Sequence, residues 1–221
     1  MSDTNIGQLW PLFWAAAWET LYMVALTLTL GGLLGLLLGL ALYVTRGGGL
    51  YASRPVNVVL NVLVNFFRPI PFVIFIAAVQ PAARLVVGTG IGNPAIIFAL
   101  TIAAMFGISR IVEQNLVTVD PGVIEAARSV GASRARIVRT VVIPEALGPL
   151  VLGYTFVFVA IVDMTAIAGV VGGGGLGNFA LQYGFRQFDT VVTWAAVIVI
   201  VALVQVGQLA GNTAARRILR R

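Results

Sequence analysis

Apolar residues run along this chain in blocks of about twenty, parted by short stretches that carry most of the charge. Twenty apolar residues are what a helix needs to cross a hydrocarbon layer of about 30 Å. Five blocks reach that length, near Ala15–Val44, Val56–Val79, Pro94–Val112, Pro149–Val171 and Val191–Ala210. The pattern predicts an all-α membrane protein of five transmembrane helices. Gly31, Gly35 and Gly39 recur every fourth residue in the first block. That spacing makes a ridge of small residues on which another helix backbone packs closely. Trp10, Trp14 and Trp18 suit an interfacial anchor, where one ring edge is wet and the rest apolar.

Composition supports this reading. The chain has 221 residues, 59% of them hydrophobic and 10% charged, with a mean hydropathy of +0.99. Soluble domains carry about 25% charged residues, so lipid must be the solvent for much of this surface. Cys, His and Lys are all absent. Their absence removes thiol nucleophiles, imidazole bases, the commonest zinc ligands and a Walker A lysine. The eight acids are dispersed, and no nucleophile–base pair emerges, so an enzyme is not expected.

The net charge of +6 comes from fourteen arginines. Nearly all of them lie between or at the edges of the apolar blocks, so the charge points to membrane topology and not to nucleic acid. Eleven of them fall on one side of a five-span path: Arg46, Arg54, Arg110, Arg128, Arg134, Arg136, Arg139, Arg216, Arg217, Arg220 and Arg221. Arg84 and Arg186 fall on the other, and Arg68 lies at the edge of the second block. The positive-inside rule then puts the N terminus outside and the C terminus inside. The first block, with Asp3 and Glu19 before its core and no basic run, does not read as a cleaved signal peptide.

The longest polar segment, Val119–Pro149, joins the third and fourth blocks on the arginine-rich side. Asp120-Pro121 reads as a helix cap and first helical residue. Gly131 should break that short helix, and Ser133 should cap a second, ending where Pro144 stops it. The two helices hold too many apolar residues for a free linker. They lie either on anionic lipid or against a cytosolic partner.

Glu125-Ala126-Ala127, then Gly131 after three residues, then Val141-x-Ile143-Pro144 after nine more, resembles the EAA loop of binding-protein-dependent ABC importer membrane subunits. Val141 and Ile143 stand where the family usually has isoleucine and leucine. Trp18-Glu19-Thr20, Arg68-Pro69-Ile70-Pro71-Phe72, Gly172–Gly177 and Tyr183-Gly184-Phe185 are similar to methionine-importer permeases. The glycine run allows a tight re-entry and a short helix over 173–183.

The resemblance implies one permease domain over residues 1–221, with a cytoplasmic two-helix coupling loop at about 113–148. It implies a multi-pass protein of the bacterial cytoplasmic (inner) membrane, paired with a second copy of itself and surrounded by lipid. Two cytosolic ATPase subunits would hold the ATP and Mg, and this chain would bind no cofactor or metal. An extracytoplasmic substrate-binding protein, often a lipoprotein, would dock above. Glu125, Ala126, Ala127, Gly131, Val141, Ile143 and Pro144 would carry the coupling. The implied function is import of methionine or a similar amino acid. Alternatives are import of another small solute, such as an osmolyte or phosphonate, or a secondary transporter.

Two features inside the blocks stand out. Asp163 lies well within the fourth, where a carboxylate costs several kcal/mol unless it meets a cavity or a partner. It lines the path or gate, or it is a protonated acid bonded to a neighbouring helix. The resemblance implies that Met164 and Ile167, which follow it, constrict the path, where ordinary helix packing is the alternative. Arg68, Pro69 and Pro71 should kink or break the second block. Arg68 and Pro71 are thus candidates for a gating hinge.

Overall fold

The computed structural model describes residues 6–219, so Asp3, Arg220 and Arg221 lie outside it. All regular secondary structure among the described residues is helical, in nine α-helices with short π and 3-10 stretches. These are α1 (Ile6–Thr45), α2 (Arg54–Phe67), α3 (Phe72–Val87), α4 (Gly92–Val117), α5 (Pro121–Ser129), α6 (Arg134–Ile137), α7 (Ile143–Ala168), α8 (Gly175–Phe179) and α9 (Thr190–Leu219). Four helical stretches are long and apolar enough to cross a membrane, or five if the bent pair α2–α3 counts as one.

Four of the expected blocks are present as single helices, most of them longer than their apolar cores. The second is broken in two. Pro69 and Pro71 remove backbone donors there, and the chain turns by 115° between α2 and α3.

The glycine ridge of α1 does what its spacing predicts. Gly31 faces Thr101 and Ala104, Gly35 faces Met105 and Ile108, and Gly39 faces Ser109 and Val112. Both helices advance in the same sense along this contact, so α1 and α4 run parallel. The return passage between them is the α2–α3 pair. By contrast α7 and α9 run antiparallel, with Phe158 over Gly207, Thr155 over Gly211 and Gly148 against Leu219.

Pro144 does not end the second loop helix. From Arg134 to Ile167 the chain is one continuous helical stretch. A proline ring clashes with the carbonyl four residues earlier in a regular α-helix. Here the preceding turn, Val138–Val142, is π-helical, and the Ile143 amide donates to the Val138 carbonyl five residues back. The wider turn gives the ring room, and the helix continues.

Candidate functional site

The loop between α4 and α7 is built as its sequence specifies. The Asp120 carboxylate accepts from the Gly122 amide at 2.7 Å, with Pro121 next to the cap. After α5 the Ala132 amide donates to the Ala127 carbonyl (3.1 Å) and the Gly131 amide to the Arg128 carbonyl (2.9 Å). This is the Schellman pattern, which needs a left-handed residue at the turn. Gly131 supplies it with a φ of 79°. The Ser133 hydroxyl then accepts from the Arg136 amide.

This geometry sorts the loop residues onto two sides. Ile124, Ala127, Val138 and Val141 pack against a core that includes Val112, Leu116, Ile137 and Val142. Glu125, Ala126, Val123 and Val130 face outward, Val130 being 82% exposed. The loop's apolar residues are therefore only partly buried by its own chain. Ile143 is half-buried and Pro144 exposed, both in the first turn of α7.

A rise of 1.5 Å per residue makes the continuous helix from Arg134 to Ile167 about 50 Å long. Asp163 sits near its far end, exposed, and makes no hydrogen bond or ion pair among the described residues. Its neighbours point elsewhere. Met164 and Ile167 pack with Phe72, Phe75 and Leu100. Ile70, at the α2–α3 break, joins the same cluster, and Pro71 is the N-terminal cap residue of α3. The structure thus brings the break and the Met164–Ile167 segment together and leaves Asp163 on a separate face. Arg68 is exposed at the C-terminal end of α2, and its side chain reaches none of the freed carbonyls among the described residues.

Two polar constructions escaped the reading of the sequence. Arg110 is not a loop residue, as the count of basic residues between blocks took it to be. It lies inside α4, two turns from its end, and pairs with Glu113. It also donates to the Asn61 and Asn65 side-chain oxygens on α2 at 2.6 and 2.8 Å. Asn61 in turn donates to Asn57, and Asn57 donates to the Leu42 carbonyl at 3.0 Å. A charged side chain at this depth persists where all its partners are supplied. The visible signal was the four-residue spacing of Asn57, Asn61 and Asn65, which lines one helix face.

The second construction holds the glycine run. The Gly175 amide donates to the Glu19 carboxylate at 2.7 Å, and the Leu176 amide to the Thr20 hydroxyl at 2.9 Å. The Gly174 amide donates to the Asn93 side chain at 2.8 Å. These three side chains, from α1 and α4, satisfy the amides that open α8. A side chain on Gly174 would collide with Glu19. The expected short helix is present as α8 with a π-helical continuation, Ala180–Phe185.

Known proteins resemble this chain in sequence and fold. The chain is 40% identical over 222 residues to the probable D-methionine transport system permease protein MetI of Vibrio cholerae, covering 99% of each. It is 40% identical over 199 residues to the methionine import system permease protein MetP of Bacillus subtilis, covering 90% of each. A chain of the inward-facing MetNI methionine ABC transporter superposes with a TM-score of 0.92 at 38% identity, covering 99% of both. A chain of an amino acid ABC transporter with histidines superposes with a TM-score of 0.74 at 25% identity, over 100% of this chain and 99% of that one. Residues 31–221 match one family over most of the chain, and the protein belongs to the binding-protein-dependent transport system inner membrane components.

Proposed function

We propose that this chain is the pore-forming subunit of an ATP-driven importer for methionine, acting as a dimer on two cytosolic ATPase subunits. It is a transport subunit, and hydrolysis belongs to the ATPase. One observation carries the reading. The second loop helix, against whose core Ile124 and Ala127 of α5 pack across the Gly131 turn, is joined without a break to the helix that bears Asp163. Movement imposed on the loop is therefore delivered about 50 Å away, at the level where a path would be gated.

In this reading residues 1–221 form one domain with five spans, the bent α2–α3 pair counting as one. The parallel course of α1 and α4 supports that count, because two spans crossing in the same direction need one crossing between them. The arginine distribution supports an external N terminus, an internal C terminus and a cytoplasmic coupling loop at about 113–148. Glu125 and Ala126 present the docking face, while Ala127, Val141 and Ile143 seat the loop on the spans. Gly131 sets the angle between the two loop helices, and Pro144 marks the π-turn that joins the loop to α7. Asp163 faces the path or the second copy, with Met164 and Ile167 at the gate beside it. Arg68 and Pro71 mark a hinge next to those two residues. An extracytoplasmic binding protein delivers substrate to the opposite end, near the pinned glycine run.

The test is uptake of labelled methionine into proteoliposomes holding this chain with its ATPase and binding protein. Uptake should require ATP. ATP-driven uptake of a different solute alone would discard methionine and keep the importer. No ATP dependence would discard both. Gly131→Arg should lower uptake roughly tenfold, since a side chain in the left-handed region costs about 1–2 kcal/mol. Basal ATPase activity should survive in that variant. Asp163→Asn should impair uptake while the protein stays folded. Full uptake in that variant would remove Asp163 from the path.

A further inference from the structure

We propose that a seam between α1, α7 and α9 holds one acyl chain of an anionic phospholipid, with its headgroup at Arg139. A groove of about 710 Å³ runs along this seam, lined by Leu33, Leu36, Leu147, Val151, Tyr154 and Phe158 among others. A second, smaller hollow of about 250 Å³ begins one helical turn further along both helices, from Leu36 to Leu40 on α1 and from Ile143 to Arg139 before α7, and is lined by Val44, Val138, Tyr51 and Arg139. Lining residues on α7 extend from Ile143 to Phe158, about 22 Å of helix. That exceeds the roughly 15 Å depth of one leaflet's hydrocarbon.

The chemistry of the lining excludes a polar occupant. Its few polar side chains are already engaged. The Tyr154 hydroxyl donates to the Gly32 carbonyl at 2.7 Å, the Thr29 hydroxyl to the Ala25 carbonyl and the Thr155 hydroxyl to the Val151 carbonyl. What remains open is apolar.

The seam also lies away from the Asp163 face. Asp163 is nine residues from Tyr154, and at 100° per residue it points from the opposite side of α7. A carboxylate within the spans turns toward protein or water, so the seam side is the one left to lipid. The mouth supplies charge complementarity. Arg139 is exposed at the hollow's edge, and Arg134 stacks over Tyr51 with 5.6 Å between the guanidinium carbon and the ring centre. Glu145, nine residues before Tyr154, lies on the far side of the helix. An anionic headgroup at this mouth meets positive charge while its chain fills the groove.

The experiment is photo-crosslinking of the full-length chain in phosphatidylcholine vesicles. These carry a minor fraction of either phosphatidylglycerol or phosphatidylcholine with a photoactivatable acyl chain. Mass spectrometry locates the adducts. Leu33, Leu147 and Val151 should be labelled by the phosphatidylglycerol probe roughly fivefold more than by the phosphatidylcholine probe, the effect expected of one basic side chain on an anionic headgroup. Val62 and Phe66, on the exposed apolar face of α2, should show no such preference. Arg139→Gln should abolish the preference. The Leu33→Trp, Leu147→Trp double variant fills the groove from two exposed positions and should abolish adducts along the seam. Equal labelling of seam and α2 face, or adducts indifferent to headgroup and filling, would overturn the proposal. Chain-to-chain adducts in the seam would also overturn it, assigning the groove to a second copy.

Discussion

Leucine in place of Arg110 is expected to destabilise the folded chain by about 3–5 kcal/mol, the range for breaking one half of a buried ion pair. The size follows from what is left behind. Glu113 loses its partner while largely buried, and Asn61 and Asn65 lose the donor that both face. α2 is tied to α4 through these contacts and through the buried side chain of Val64. Thermal unfolding of the purified chain in detergent measures the loss. The double variant Arg110→Leu, Glu113→Leu should recover much of it, because replacing both halves of a buried pair is often near neutral. A single variant as stable as the parent would show that the cluster does not hold α2 in place.

The second large effect is expected at Gly39. A Cβ there would meet the Ser109 carbonyl oxygen at 2.6 Å and the Val112 Cβ at 2.6 Å. A backbone oxygen in mid-helix cannot step aside, so the helices must separate. Gly39→Leu should leave almost no folded chain in the membrane, since overpacking already costs about 1–3 kcal/mol where neighbours adjust. Separation of α1 from α4 would also forfeit the contacts at Gly31 and Gly35. Gly47→Ala, where nothing lies within 4 Å, should be neutral. Fluorescence-detected size-exclusion of the solubilised protein distinguishes the two. A monodisperse Gly39→Leu peak at parental yield would contradict the packing described.

Much of this was legible in the chain. The apolar blocks predicted the long helices because lipid demands length and apolarity from contiguous residues. Asp120-Pro121, Gly131 and Ser133 predicted the loop because caps and turns act over three or four residues. What the chain concealed lies in longer range or finer angle. Glu19 meets Gly175 across 156 positions, a pairing no local rule announces. Pro144 reads as a stop until the π-turn before it is seen. Asp163 and Met164 are neighbours in sequence yet face apart, because each residue turns the helix by 100°. Arg110 looked like a topology marker, and the Asn ladder that receives it belongs to another helix.

The parallel pairing of α1 and α4 also has a consequence for synthesis. The glycine ridge at Gly31–Gly39 leaves the ribosome well before its partner surface at Thr101–Val112. The two are about 70 residues apart, so at roughly 5–20 residues per second the ridge waits several seconds, bare, for the helix that covers it. During that interval the bent α2–α3 passage must be threaded back before α4 arrives in the correct sense. A close-packed stripe of small residues is thus also a delay, and the nascent chain must keep that stripe from pairing elsewhere until its own fourth helix is made.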